Sequence, residues 1–185
     1  QGIPVIGICG GYQMMGQQLI DPGKNESRVK ESRGLGILPV KTKFFSNKHT
    51  YQIQGKIRSK GRLMQGLQEE TITGYEIHMG QTDILNEKSP VFLIKERSGK
   101  KVEIEDGIFD EKGLSFGTYI HGLFNNDNLR RQLLNNLRKK KGLPPLPRTQ
   151  FNYQKNLEQD LDKLADIVEE NIDLELLFSL LKRSG

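Results

Sequence analysis

The sequence has few of the features that stabilise or anchor a protein by means other than its hydrophobic core. It contains one cysteine, Cys9, and no tryptophan in 185 residues. A single cysteine excludes an intramolecular disulfide framework and a site built from several cysteine ligands, so no metal site is predicted. The same scarcity favours a reducing compartment, and we expect a cytoplasmic protein.

Long apolar runs are also missing from the sequence. None approaches the roughly 20 residues that a membrane-spanning helix requires, and no secretory signal opens the chain. We therefore expect no membrane partner.

The charge pattern points away from nucleic acid. The net charge is +5, and the densest basic run is Arg138-Lys139-Lys140-Lys141. Cations at the end of a predicted helix are stabilised by the partial negative charge of the last carbonyl groups. Because no aromatic residues are interleaved with this run, we predict no nucleic-acid partner.

Short apolar runs rich in β-branched residues alternate with stretches of helical periodicity, which predicts an α/β protein with some antiparallel strands. A chain of this length can bury its core in a single domain, residues 1–185. The predicted strands cover residues 3–8, 38–45, 51–57, 73–82, 91–96, 102–109 and 114–124, with a hairpin joining 38–45 to 51–57. Helices are predicted over residues 12–20, after a cap at Asn126 or Asp127, from Lys155 with Leu164 in the core, and from Asp173 to Leu181.

Cys9 lies in the glycine-rich sequence GICGG, between a predicted strand and a predicted helix. A sharp strand-to-helix turn presents a side chain at the end of a sheet, and it needs small neighbours because the backbone passes close to other chain segments. The helix start supplies unpaired N–H groups, which favour a thiolate and a developing oxyanion. Cys9 is therefore predicted to be a nucleophile rather than an inert core thiol.

A cysteine nucleophile requires a base, and the sequence offers three histidines. His49 lies in a predicted turn, and His78 lies within a strand. His121 ends a predicted strand in GTYIHGLF. Since α/β sheets place their sites at strand ends, His121 is the predicted base.

Three stretches together resemble the glutaminase domain of the cobyric acid synthases, which are class I glutamine amidotransferases. These are GICGGYQ at 7–13, GYEIHMGQT at 74–82 and GTYIHGLF at 117–124. The resemblance covers residues 2–181. It implies a doubly wound, flavodoxin-like α/β sheet with added antiparallel strands and C-terminal helices.

The resemblance implies that Cys9 attacks the carboxamide of glutamine to form a thioester, while His121 transfers the proton. Gly10 and Gly11 would border the substrate, with the Gly10 N–H as an oxyanion donor, and Gln13 would help to hold glutamine. The ammonia released would amidate adenosylcobyrinic acid a,c-diamide to adenosylcobyric acid in cobalamin biosynthesis.

The sequence departs from ordinary class I glutaminases after its histidine. Those enzymes carry a glutamate two residues further on, whereas His121 is followed by Gly122-Leu123. Glu76 is one candidate for the missing third member. Alternatively, Glu76 and His78 bind the corrin or border the ammonia route, so both are predicted as substrate-binding.

A second departure concerns the start of the chain. The sequence has no G-x-x-x-x-G-K-[ST] loop, and the resemblance implies an upstream synthetase domain and earlier glutaminase strands. We therefore expect an N-terminally truncated domain that binds no cofactor itself. ATP, magnesium and the corrin would bind the synthetase domain. The alternatives are an incomplete glutaminase-like docking or regulatory subunit, and the cobyrinic acid a,c-diamide synthase branch.

Overall fold

The computed structural model describes residues 2–86, 90–147 and 151–183. The chain forms two compact units, residues 1–147 and residues 148–185. The expectation of a single domain over residues 1–185 stays a prediction.

The first unit contains ten short or medium strands and two helices among its described residues. Two 3₁₀ turns, Arg62–Met64 and Leu123–Asn125, connect them. In chain order the elements are β1 (Ile6–Ile8), α1 (Gly10–Met15), β2 (Gln18–Ile20), β3 (Glu31–Arg33), β4 (Val40–Ile57), β5 (Thr71–Ile84), β6 (Phe92–Arg97), β7 (Lys100–Asp106), β8 (Ile108–Phe109), β9 (Phe116–Thr118), β10 (Ile120–His121) and α2 (Asp127–Lys140).

These strands form two sheets within the described residues. The smaller sheet has the order β1-β9-β8, with β1 and β9 parallel. The larger has the order β10-β5-β4-β2-β3, and β6 joins it by pairing with β4 and β7. β9 belongs to one sheet and β10 to the other, so the short segment between them links the two sheets.

Two apolar clusters form the core. The larger packs β4, β5, β6, β9 and α2 together and includes the fully buried Phe92, Phe116 and Ile120. The smaller surrounds α1 and includes Tyr12 and Met15. The element that follows Cys9 is thus anchored by its own core cluster.

Two sequence-based element predictions are wrong. The helix expected over residues 12–20 ends at Met15, and Gln18–Ile20 pairs in parallel with β4 as a strand. The hairpin expected between residues 38–45 and 51–57 is one continuous strand, β4, which pairs along β5. A register shift between Phe44 and His49 absorbs the predicted turn, because a bulge accommodates extra residues without ending the pairing.

The second unit consists of α3 (Tyr153–Asn171) and α4 (Leu174–Arg183). The side chain of Asp173 accepts a hydrogen bond from the Leu176 N–H, as expected of a cap. Leu164 is 55% exposed, and no residue of α3 is buried in the described part of the chain. The prediction that Leu164 lies in the core is therefore wrong.

The mixture of parallel and antiparallel strands with helices confirms the α/β class and is consistent with a class I glutamine amidotransferase-like fold. Among the described residues, no helix has both the length and the apolar character needed to cross a membrane.

Candidate active site

Cys9 occupies a strained corner between β1 and α1. Its φ of 53° lies in the left-handed region that residues other than glycine rarely adopt. Its N–H donates to the Thr118 carbonyl oxygen over 2.9 Å, and its own carbonyl accepts from the Gln13 N–H. Strain of this kind persists only where surrounding contacts enforce it, and it is typical of functional sites.

The glycines around Cys9 differ in what they permit. A Cβ at Gly7 would lie 2.5 Å from the Met15 Sδ and 2.8 Å from the Gly11 backbone, so close approach requires glycine there. At Gly10 and Gly11 an added Cβ would meet no atom within 4 Å apart from those of its chain neighbours and its own helix backbone, and both residues are exposed. Close packing explains Gly7 only, and the other two glycines leave open space beside Cys9.

The Cys9 thiol is half-buried and donates a hydrogen bond to the Ile77 carbonyl oxygen over 3.4 Å. Burial raises the pKa of this thiol, the Gly10 N–H lowers it and the Glu26 carboxylate raises it, with a net pKa above the ordinary value. The helix start is expected to favour a thiolate. The Gly10 N–H does so by lowering the pKa, but the net pKa shift is upward and favours the thiol. The resting side chain is a thiol, so attack requires a base.

His121 lies on β10, opposite Tyr75 of β5. Its Nε2 atom is buried and has no hydrogen-bond partner among the described residues. Gly74 permits this placement, because a Cβ there would lie 2.5 Å from the His121 carbonyl oxygen. An unpartnered, buried imidazole nitrogen can accept or deliver a proton when a substrate is bound.

Strand β5 contacts both predicted catalytic residues. The Cys9 Sγ contacts the carbonyl of Ile77, and His121 pairs with Tyr75, two residues earlier. Two residues of a strand span about 7 Å. The Cys9 thiol and the His121 backbone therefore contact one strand at positions two residues apart, although the two residues are 112 positions apart in the sequence.

Gln13 points into the core. It is 8% exposed, and its Nε2 donates to the Tyr119 hydroxyl over 3.3 Å. This amide therefore already has a protein partner. The prediction that Gln13 helps to hold glutamine stays a prediction.

Glu76 is 2% exposed, and both of its oxygens accept from Arg97, at 2.6 Å from Nε and 2.7 Å from Nη2. Burial raises the pKa of this carboxyl, whereas His78 and Arg97 lower it, and the net pKa lies below its ordinary value. Glu76 pairs with Ile120 in the sheet, so it faces the opposite side from His121. Glu76 is thus not placed to orient the imidazole.

His78 lies on the same face of β5 as Glu76. Its ring stacks on Tyr119 with 3.9 Å between centroids, and its Nδ1–H donates to the Gly80 carbonyl over 2.7 Å. The substrate-binding roles predicted for Glu76 and His78 stay predictions.

Asp106, the last residue of β7, is a candidate that no motif in the sequence indicates. Its carboxylate is 7% exposed and accepts hydrogen bonds from the Thr118 hydroxyl and, over 3.1 Å, from the Tyr119 N–H. The only local signal is the pair Asp106-Gly107, with Gly107 at a φ of 72°. Such a pair is typical of an ordinary turn, so the partners of Asp106 appear only in the fold.

Comparisons with known proteins identify the family of this chain. Residues 1–129 match the CobB/CobQ-like glutamine amidotransferase domain. A cobyric acid synthase of Thermoanaerobacter sp. (strain X514) is 41% identical over 180 residues, which cover 97% of this chain and 35% of that protein. Those of Moorella thermoacetica and Streptococcus sanguinis are 41% and 39% identical, covering 98% and 99% of this chain and 35% of each protein. The chain therefore spans about a third of the length of these relatives.

Proposed function

This chain belongs to the CobB/CobQ-like glutamine amidotransferase domain family, and we propose that it hydrolyses glutamine at Cys9 to supply ammonia for the amidation of corrin carboxylates. The observation that carries the proposal is that Cys9 and His121 both contact β5, Cys9 at the Ile77 carbonyl and His121 by pairing with Tyr75. A nucleophile and a base held in this way are what cysteine-dependent hydrolysis requires.

In the first step, the sulfur of Cys9 attacks the side-chain carbonyl carbon of glutamine while the thiol proton passes to Nε2 of His121. The raised pKa of Cys9 makes this transfer necessary, because little thiolate exists at rest. His121 then delivers the proton to the amide nitrogen, the C–N bond breaks, and ammonia leaves a thioester on Cys9.

The open space beside Gly10 and Gly11 suits the substrate carboxamide. In the tetrahedral intermediate the carbonyl oxygen becomes an oxyanion, and an N–H group at the start of α1 can stabilise it. We assign this role to the Gly10 N–H, because this group also lowers the pKa of the Cys9 thiol.

In the second step, water attacks the thioester. His121 accepts a proton from this water and returns it to the departing sulfur, which releases glutamate and regenerates the thiol. A nucleophilic thiol must stay reduced between turnovers, so the cytoplasm suits this chemistry.

The acceptor chemistry is proposed from the relatives' names. Ammonia would attack a corrin carboxylate activated by ATP with magnesium, as in the formation of adenosylcobyric acid. We assign ATP, magnesium and corrin binding to the part of those relatives that lies outside the match with this chain.

The test is glutamate release from glutamine by the parent and by Cys9→Ala, measured both for this chain and for the longer protein with its synthetase region. We expect release by the parent and none by Cys9→Ala. In the longer protein, Cys9→Ala should still amidate the corrin when free ammonia is supplied.

Asp110→Asn provides a matched control. Asp110 accepts from the Leu114 and Ser115 N–H groups, at the end of β9 remote from Cys9, so activity should persist. Equal release by the parent and Cys9→Ala would contradict the proposed nucleophile. Loss of ammonia-dependent amidation in Cys9→Ala would contradict the division of roles. A folded parent with no release in either form would favour a docking subunit.

A further inference from the structure

The structure suggests how the pair of Cys9 and His121 is held in place without the usual carboxylate. No acidic residue follows His121 at the second position, and Glu76 faces the other side of the sheet. A catalytic imidazole still needs a fixed orientation for proton transfer. Asp106 is a buried carboxylate that hydrogen-bonds to the segment between the Cys9 contact and His121.

Thr118 links Asp106 to Cys9 by hydrogen bonds. The Thr118 carbonyl accepts from the Cys9 N–H over 2.9 Å. Its hydroxyl donates to Asp106 and at the same time accepts from the Ile120 N–H over 3.1 Å. His121, the predicted base, is the residue after Ile120.

The hydrogen-bond chemistry explains why a carboxylate is needed here. An ionised carboxylate only accepts, so it forces the Thr118 hydroxyl to donate and leaves the hydroxyl's lone pair for the Ile120 N–H. The second oxygen accepts from the Tyr119 N–H. One side chain thereby fixes three consecutive residues in a single arrangement.

We propose that Asp106 is a positioning residue whose buried carboxylate fixes residues 118–120. That segment holds Cys9 on one side and leads into His121 on the other. The inference rests on the proposed function and adds to it a group that touches neither substrate nor reacting atoms.

The cost of burying Asp106 supports this role. Burial raises the pKa of Asp106 to about 6, against the lowering effects of Thr118 and Tyr119. Glu76 raises this pKa further and His78 lowers it. A cavity of about 290 Å³ is lined by Asp106, Glu76, His78 and Tyr12, among others. A buried carboxylate that opposes folding at neutral pH is best explained by what it holds in place.

The test compares kcat and KM for glutamine hydrolysis in the parent and in Asp106→Asn. The carboxamide offers one acceptor oxygen where the carboxylate offers two, so segment 118–120 should loosen. We expect kcat to fall about tenfold or more, because small misplacements of reacting groups are costly, with KM changed less than about threefold. Asp110→Asn, which loses a comparable acceptor at the other end of β9, should retain the parental kcat.

A second pair of variants approaches the same link from Thr118. Thr118→Val removes the hydroxyl and should lower kcat as Asp106→Asn does, whereas Thr118→Ser keeps the hydroxyl and should stay within about threefold of the parent. A parental kcat in both Asp106→Asn and Thr118→Val would overturn the inference. An equal loss in Asp110→Asn would overturn it as well, since any destabilised β9 would then suffice.

Amide hydrogen exchange separates this inference from the proposed function. In Asp106→Asn, the Cys9 amide should exchange about tenfold faster or more than in the parent and in Asp110→Asn. Unchanged exchange would refute the positioning role even if the parent hydrolyses glutamine. A parent that releases no glutamate refutes the proposed function, and the exchange rates then still decide whether Asp106 fixes the corner.

Discussion

The thiol of Cys9 donates a hydrogen bond to the carbonyl oxygen of Ile77 over 3.4 Å. A donated S–H bond holds the proton on sulfur, and burial of the thiol acts in the same direction by raising its pKa. The resting form of Cys9 is therefore the thiol, and the proposed attack on glutamine requires a base that accepts its proton.

The first prediction concerns the reactivity of this thiol towards iodoacetamide. The alkylation rate should rise with pH and reach half of its maximum above the ordinary cysteine pKa of about 8.5. Because the chain has one cysteine, mass spectrometry of the intact protein reports Cys9 alone. A plateau already reached below pH 7 would indicate a resting thiolate paired with a protonated histidine.

The second prediction concerns Gly11→Ala. Gly11 is exposed and lies in the first turn of α1, where an added Cβ meets no atom within 4 Å apart from those of its chain neighbours and its own helix backbone. Alanine should raise the free energy of unfolding by about 0.5–1 kcal/mol, because it loses less backbone entropy than glycine. The same methyl group occupies the space assigned to the glutamine carboxamide, so kcat/KM should fall about tenfold or more.

Gly7→Ala is the contrasting control for Gly11→Ala. Its Cβ would meet the Met15 Sδ at 2.5 Å, so this variant should be less stable than the parent. Urea unfolding and glutamate release measured on both variants test the distinction. Parental activity in a stabilised Gly11→Ala would show that the open space is not used by substrate.

The parts of the site that the sequence predicts are those with a strong local signal. The turn at Cys9 follows from its glycines, and the strand predicted over residues 73–82, which carries His78, lies within Thr71–Ile84. The helix that begins at Asp127 follows from leucines at helical spacing. Each of these patterns depends on neighbours within a few residues.

The parts that the sequence does not predict depend on distant partners. Gln18–Ile20 continues a helical pattern, yet β4 lies alongside and pairs with it as a strand. Asp106 resembles a turn residue until β9 places Thr118 against it. Leu164 has the spacing of a core residue, but helical periodicity says only that a face is apolar, not that another element covers it.

The third prediction follows from the pKa of Asp106. A folded pKa of about 6 lies above the ordinary value of 3.8, so the folded state binds the proton more tightly than the unfolded state. Stability contributed by this group is therefore present at low pH and lost as the pH rises through about 6. Between pH 4.5 and 7.5 the parent should lose about 2 kcal/mol relative to Asp106→Asn, which carries no titrating carboxyl.

Urea unfolding of the parent and Asp106→Asn at several pH values checks this dependence. The difference in unfolding free energy between the two proteins removes the contributions of all other titrating groups to first order. A difference that stays constant with pH would show that Asp106 has the same pKa in the folded and unfolded states.

The fourth prediction concerns the ion pair of Glu76 and Arg97. Arg97→Met leaves a carboxylate that is 2% exposed without its bidentate partner. Removing one member of a buried pair commonly costs 3–5 kcal/mol, and we expect about 3 kcal/mol because the Arg97 side chain is partly exposed. Glu76→Gln combined with Arg97→Met should recover most of this loss, since no buried charge then remains.

The pH dependence of the stability loss and a control variant at a surface ion pair make this test specific for the buried pair. The folded pKa of Glu76 lies below its ordinary value, so the parent gains from this carboxylate above the ordinary pKa and loses that gain as the pH falls through the folded value. In Arg97→Met the unpaired carboxylate becomes protonated more easily, so the stability gap to the parent should shrink as the pH falls. Lys95 lies on the same strand as Arg97 and forms an exposed ion pair with Glu103 of β7. Lys95→Met breaks this pair and should cost less than about 1 kcal/mol. Equal losses in the two variants would mean that the Arg97 pair contributes no more than a surface contact.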